Sequence, residues 1–202
     1  GNQLPYLDQV KWLLITDKST RIAALRTAKV DHLGGTYDEL LLDDKESLLK
    51  TNPGLKWKGG LKANQWCVFG RTDKPELPFK DIRVRRALHM ALDFKKIKDE
   101  YYRGQADILT FPVSSVYKNA CYTPLEELPE STRELFSYNP KKAKELLAEA
   151  GYPNGFKTTV LCEDRGVDLL SIVKDYWAKI GVDTEIDLKE YTVFKRMQVA
   201  LS

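Results

Sequence analysis

KTTVLCEDRGVDLLSIVKDYWAKIGVDTEIDL, residues 157–188, decides the fold. Thr158 to Cys162 is rich in strand-favouring residues. From Val167 to Ile180 apolar side chains recur at helical spacing and stop at Gly181, and Val182 to Leu188 alternates apolar and polar as a half-buried strand does. Strand, helix and strand in this order predict a βαβ unit: a parallel pair joined by a right-handed crossover. The loop after the first strand of such a unit faces the ligand crevice. Here that loop is Glu163-Asp164-Arg165-Gly166, at a helix N-terminus, and the fold class is α/β.

Upstream, Asn139-Pro140 predicts a helix start, with a capping side chain followed by proline in the first turn, and Gly151 predicts its end. Asp81 reads as the cap of a helix with Val84, Ala87, Leu88 and Ala91 on one face; Asp93 caps the next, which ends at Gly104. Residues 105–138 show weak periodicity and contain Pro112, Pro124 and Pro129. Loops this long are usually functional or disordered. Nearer the start, Val10 to Ile15 reads as a strand and Ser19 as the cap of a helix carrying Ile22, Leu25 and Ala28. A second helix runs from about Glu39 to Lys50 and is stopped by Asn52-Pro53-Gly54. Extended stretches near 55–58 and 64–69 lead to Gly70-Arg71-Thr72 and then to Pro75 and Pro78. A domain boundary or hinge is placed near residue 70, dividing the chain into 1–70 and 71–202.

The 202 residues suffice for one or two domains. With 43% apolar and 30% charged residues the chain has enough apolar side chains for a core. Residues 1–70 carry ten basic and eight acidic side chains and the remainder 22 and 21, so neither half has the basic bias of a nucleic-acid binder. No apolar run approaches bilayer-spanning length. The two histidines, His32 and His89, belong to no HExxH, and there is no CxxC, GxSxG, Walker loop or GxGxxG. These absences lower the odds of hydrolase, zinc and nucleotide chemistry, and neither a cofactor nor a metal is expected.

Three blocks of the chain stand out together. The first is Leu4-Pro5-Tyr6-Leu7-Asp8 with Ser19-Thr20-Arg21-Ile22-Ala23-Ala24-Leu25-Arg26 and Lys29-Val30-Asp31. The second is Pro78-Phe79-Lys80-Asp81-Ile82-Arg83-Val84-Arg85-Arg86-Ala87-Leu88 with Ala91-Leu92-Asp93. The third runs from Tyr138-Asn139-Pro140 to Asn154-Gly155-Phe156. In this order they resemble the extracellular solute-binding proteins of family 5, the peptide- and nickel-binding subunits of ABC importers. The resemblance implies a periplasmic-binding-protein-like α/β fold (type II, cluster C) with a mixed sheet and flanking helices. It also implies that the chain is a fragment: residues 1–70 part of lobe one plus a crossover strand, and 71–202 part of lobe two. It further implies no enzymatic activity, an oligopeptide or related small solute as ligand, and a membrane permease as partner. The location implied is periplasmic or extracellular, with a lipid anchor on the precursor as a further expectation. Nucleic acid is not an expected partner, and a fragment with an incomplete sheet is expected to self-associate. Two other readings stay open: a sensor or interaction module that has lost its ligand, and, lower in rank, an α/β hydrolase.

Arg165 is the first ligand candidate, because its guanidinium can pair bidentately with a carboxylate and the helix amides after Gly166 favour anions. The plainer alternative is a loop arginine paired with Glu163 or Asp168. Trp66 and Phe69 are candidates for an aromatic cleft wall, with core packing as the commoner role. Gly70 is the candidate hinge, and the resemblance carries no asparagine contact there because this chain has glycine. Arg83, Arg85 and Arg86 read as a solvated helix face, and Cys162-Glu163-Asp164 as structural, since adjacent strand residues face opposite ways. Pairing among Cys67, Cys121 and Cys162 is left open.

Overall fold

The structure is a computed structural model and describes residues 3–34, 40, 42–61, 63, 66–109 and 112–200. It separates into two compact units, Gly1–Gly60 and Leu61–Ser202. In the first, helix α1 (Lys18–Arg26) is capped by Asp17, whose carboxylate accepts the Thr20 amide at 2.7 Å, rather than by Ser19. Both residues are good caps, so local chemistry alone does not choose between them. Helix α2 spans Leu42–Thr51, and the start expected near Glu39 lies outside the described residues. The helices are joined by Lys18–Asp44 at 2.7 Å and by Asn52 Nδ2 donating to the Arg26 carbonyl at 3.2 Å, with Ala24 and Leu48 buried. Val10 to Ile15 is not a strand: it forms no strand ladder among the described residues, and Trp12 and Leu14 are largely exposed. Alternation supplies a face but not the partner that a ladder requires.

The second unit begins with extended chain and then a set of capped helices. Helix α3 (Ile82–Met90) starts where the Asp81 carboxylate accepts the Arg83 amide at 2.8 Å, and it buries Val84, Ala87, Leu88 and Met90. Asp93 caps the short α4 (Phe94–Lys96), which widens into a π turn over Ile97–Tyr101 instead of continuing as a regular helix. The chain turns out at Gly104. Residues 112–138 hold short 3-10 turns and one helical turn, α5 (Glu130–Arg133). Asn139 accepts the Lys142 amide at 2.9 Å and opens α6 (Pro140–Glu149).

The βαβ unit follows as the sequence predicts: β1 (Phe156–Glu163), α7 (Val167–Ala178) and β2 (Val182–Lys189), the strands parallel and in register from Phe156↔Val182 to Glu163↔Lys189. Gly155 and Gly181 precede the two strands at positive φ. A Cβ on Gly155 would stand 1.9 Å from the Gly181 carbonyl oxygen, so only glycine allows this approach. The last helix, α8 (Tyr191–Ala200), starts at Glu190, whose carboxylate accepts the Val193 amide at 3.4 Å and the Thr192 hydroxyl at 3.1 Å. Hydrogen bonding from the Thr192 amide first, then from its hydroxyl and the Val193 amide, holds the Glu190 carboxyl below its ordinary pKa.

The core of this unit lies between α3, α6, α7 and one face of the sheet, around Val84, Leu88, Leu147, Trp177 and Val182. Trp177 Nε1 donates to the Leu88 carbonyl at 2.9 Å, and the Asn139 amide to the Met90 carbonyl at 2.8 Å. The last turn of α3, whose carbonyls lack helical partners, is thereby fastened to α7 and to the cap of α6. The three arginines of α3 also do more than face solvent. Arg83 donates to the Glu149 carbonyl and Arg85 to those of Phe79 and Lys80, while Arg86 pairs with Glu134.

Two stability predictions follow from this packing. Thr184 is 1% exposed, and its hydroxyl has no hydrogen-bond partner among the described residues. Replacement by the isosteric valine is expected to stabilise the protein by about 1 kcal/mol in urea denaturation, since an unmet buried hydroxyl is removed. His89 is packed between Phe94 and Phe136, at ring-centroid distances of 4.7 and 4.9 Å, and burial pushes its pKa below 6.5. The folded protein therefore favours the neutral ring, and the unfolded chain takes up a proton first as pH falls. Stability from this site is complete above about pH 6.5 and declines below it until the folded-state pKa is passed. Melting curves from pH 7.5 to 5 should show this decline, and His89→Gln should flatten it.

Candidate functional site

At the C-terminal end of β1 the covering of the strand changes. Along Phe156–Val160 burial alternates with exposure, but Cys162 and Glu163 are both buried although they face opposite sides. Cys162 belongs to the apolar core, and its thiol donates to the Glu163 carbonyl at 3.2 Å. Glu163 lies on the other side, and α8 contacts β1 as well. A buried carboxylate requires a cation or several donors, and the chain supplies one two residues later. Asp164–Gly166 forms a single 3-10 turn that brings Arg165 back over Glu163, and Nη2 donates to both carboxylate oxygens at 3.0 Å.

The guanidinium is held from a second direction. Its central carbon stands 5.2 Å from the ring centroid of Tyr191, the first residue of α8, within the range of a cation–π contact. Lys195 Nζ stands 5.8 Å from the same ring and donates to Gln198. The two partners differ in exposure: the Arg165 side chain is 51% exposed and that of Glu163 is 11%. Nη2, the nitrogen common to both two-donor edges of the guanidinium, is the one engaged by Glu163, and Nε and Nη1 have no hydrogen-bond acceptor among the described residues. The pairing with Glu163 weighed from the sequence is present; a contact with Asp168 is not among those observed. Tyr191 was not singled out from the sequence.

Gly166 has a steric role. A Cβ there would lie 3.0 Å from the Trp66 ring and 3.1 Å from the Cys162 sulfur, so the missing side chain lets the indole rest on the turn that carries Arg165. Trp66 remains half exposed and Phe69 is 77% exposed; neither belongs to a strand, and residues 64 and 65 lie outside the described residues. Gly70 is equally constrained: a Cβ would fall 2.6 Å from Phe79 Cβ, an atom with no freedom to swing aside. The three thiols are free, Cys67 and Cys121 exposed and Cys162 buried, so no pairing joins them. Burial pushes the Cys162 thiol above its ordinary pKa. No cluster suited to a metal ion occurs among the described residues, and no helix described is long and apolar enough to cross a membrane.

A parallel βαβ unit with a charged, partly exposed turn at the end of its first strand fits a solute-binding frame, and comparison with known proteins identifies which one. The model of the bacterial extracellular solute-binding proteins, family 5 Middle, matches residues 1–200, and the chain belongs to that family. Among curated relatives, heme-binding protein A of Haemophilus influenzae is 29% identical over 199 residues, covering 94% of this chain and 33% of that protein. The glutathione-binding protein GsiB of Salmonella typhimurium is 30% identical over 191 residues, covering 91% and 33%. The chain thus spans about a third of the length of the curated relatives it matches. Among solved structures, the periplasmic binding protein DppA of Helicobacter pylori, in complex with the peptide STSA, superposes with a TM-score of 0.66 at 28% identity, over 89% of this chain and 32% of that one. The fold is the α/β fold of type II periplasmic binding proteins, and the family consists of extracellular solute-binding proteins rather than enzymes.

Because Glu163 is buried beside Arg165, loss of the arginine is expected to affect stability as well as any ligand. Arg165→Ala leaves the carboxylate without its cation, a change that typically costs about 3–5 kcal/mol when both members are fully buried and less at this half-open pair. Thermal melting should show Arg165→Ala less stable than the double variant Glu163→Gln/Arg165→Ala, in which no unpaired charge remains.

Proposed function

We propose that this chain serves the substrate-binding component of an ABC importer, which captures oligopeptides or a related small solute outside the membrane and delivers it to a permease. The reading rests most on one observation: a half-exposed guanidinium at the end of a parallel strand, held by Glu163 through Nη2, with Nε and Nη1 left without acceptors among the described residues. A partly exposed cation with N–H donors to spare suits an anionic group such as a carboxylate. The names of relatives agree with it in part, since glutathione and the peptide of the DppA complex both carry carboxylates. Trp66, resting on Gly166, supplies an apolar wall beside the charge, and Phe69 a second aromatic surface. In this reading residues 1–70 belong to one lobe and 71–202 to the other, and closure about Gly70 brings the lobes together on the ligand. No step of this function calls for a catalytic group, a metal or a cofactor.

Mass spectrometry of solute released from the purified full-length protein is expected to find peptides with a free carboxylate. Arg165→Ala should weaken calorimetric affinity for them by about tenfold to a hundredfold, the scale of a charge-assisted hydrogen bond. Retention of full affinity, or release only of solutes without an acidic group, would overturn the assignment.

A further inference from the structure

Arg165 is not the only cation that meets the Tyr191 ring. Tyr191 and Lys195 are four residues apart on α8, so they share one face of that helix. Lys195 Nζ stands 5.8 Å from the ring centroid. The Arg165 guanidinium carbon, arriving from the 3-10 turn after β1, stands 5.2 Å from it. The two cationic centres are therefore within about 11 Å of each other, a distance over which physiological salt screens only in part.

Their partners differ. Arg165 has the carboxylate of Glu163. Lys195 rests on aromatic rings and a neutral amide: Phe194 is also 5.8 Å away, and the ammonium donates to the Gln198 side-chain oxygen at 2.9 Å. No carboxylate among the described residues pairs with it. Glu190, the acid nearest to it in sequence, serves instead as the cap of α8, accepting the Thr192 hydroxyl and the Val193 amide. Asp187 is paired with Lys189 at 2.6 Å. Rings and an amide hold an ammonium in place without neutralising it, and the Lys195 side chain is exposed beside the half-exposed Arg165.

We infer that Lys195 is a specificity-determining residue: with Arg165 it selects solutes that carry two anionic groups, in a peptide the terminal carboxylate and an acidic side chain at the last or penultimate position. The inference rests on the proposed role of Arg165 as a ligand contact. A solute with one anionic group answers one of the two cations. A second acidic group answers both, through a charge-assisted bond that a neutral amide cannot equal. The last two residues of a peptide keep their acidic groups within the span of the two cations, because consecutive Cα atoms are only about 3.8 Å apart.

The test uses the full-length protein and a library of tri- to pentapeptides with free C termini, in matched pairs that carry glutamate or glutamine at the last or penultimate position. Calorimetry gives the ratio of the two affinities within each pair. The wild type is expected to favour glutamate by about tenfold, the scale of one charge-assisted bond. Lys195→Gln, a change at an exposed position that folding should tolerate, should bring the ratio towards one, and Lys195→Arg, which keeps the charge, should retain most of it. Arg165→Gln should weaken both members of each pair and leave the ratio above one. A purely structural role for Lys195 would move both affinities together. A wild-type ratio of one, or a ratio that survives Lys195→Gln, overturns the role of Lys195. Unchanged affinity for both members in Arg165→Gln, or no binding of any peptide by the wild type, overturns instead the reading of Arg165 on which the inference rests.

Discussion

The indole of Trp177 holds the second unit together in a way that apolar burial alone would not. Burying a tryptophan is favourable for its area, but its N–H must find an acceptor once water is excluded. It finds the Leu88 carbonyl at 2.9 Å, in the last turn of a helix 89 residues earlier in the chain. One contact therefore meets two needs, the buried donor on α7 and an end carbonyl on α3. It also fixes the rotation of α7, because the helix cannot turn about its axis without withdrawing the indole. The turn that precedes α7 carries Arg165, so the orientation of the candidate site is inherited from this bond in the core.

The site is built on a second constraint, electrostatic rather than apolar. A strand end that places an acidic side chain in a covered position creates a demand for positive charge, and a 3-10 turn of three residues is short enough to answer it locally. The exposed member of the pair is then ordered by the buried one. The usual surface ion pair is worth little because two mobile side chains must both be immobilised. Here one partner is already fixed by burial, which lowers the entropic cost of ordering the other.

How far the sequence announces this follows from the range of the interactions involved. Caps at Asp81, Asp93 and Asn139 were legible because a capping side chain bonds to backbone two or three residues away. The βαβ unit was legible for a similar reason, its periodicities changing at Gly166 and again at Gly181. The expected strand at Val10 to Ile15 failed because pairing is a long-range property. The docking of Arg83 on the Glu149 carbonyl and of Arg86 on Glu134 was hidden in an apparent charge run, since nothing in the run names its acceptors. Glu163 was visible only as a neighbour of Arg165: that it is buried depends on how distant chain packs at the end of β1, which no local pattern reports. Tyr191 lies 26 residues from Arg165, with no local pattern linking them.

The contact between Gly155 and Gly181 lies at the far end of the strands from the site. Eight residues of β1 separate them, roughly 26 Å. Its influence nonetheless reaches the loop, because strand pairing is discrete. A slip of one residue would exchange the two faces of β1, turning Glu163 into the apolar core and Cys162 outward. The two backbones meet too closely for any residue other than glycine at that threshold, and so they act as an end stop that sets the count along both strands. The chemistry presented at one end of the sheet is thus indexed from the other, much as a ruler is read from its zero mark.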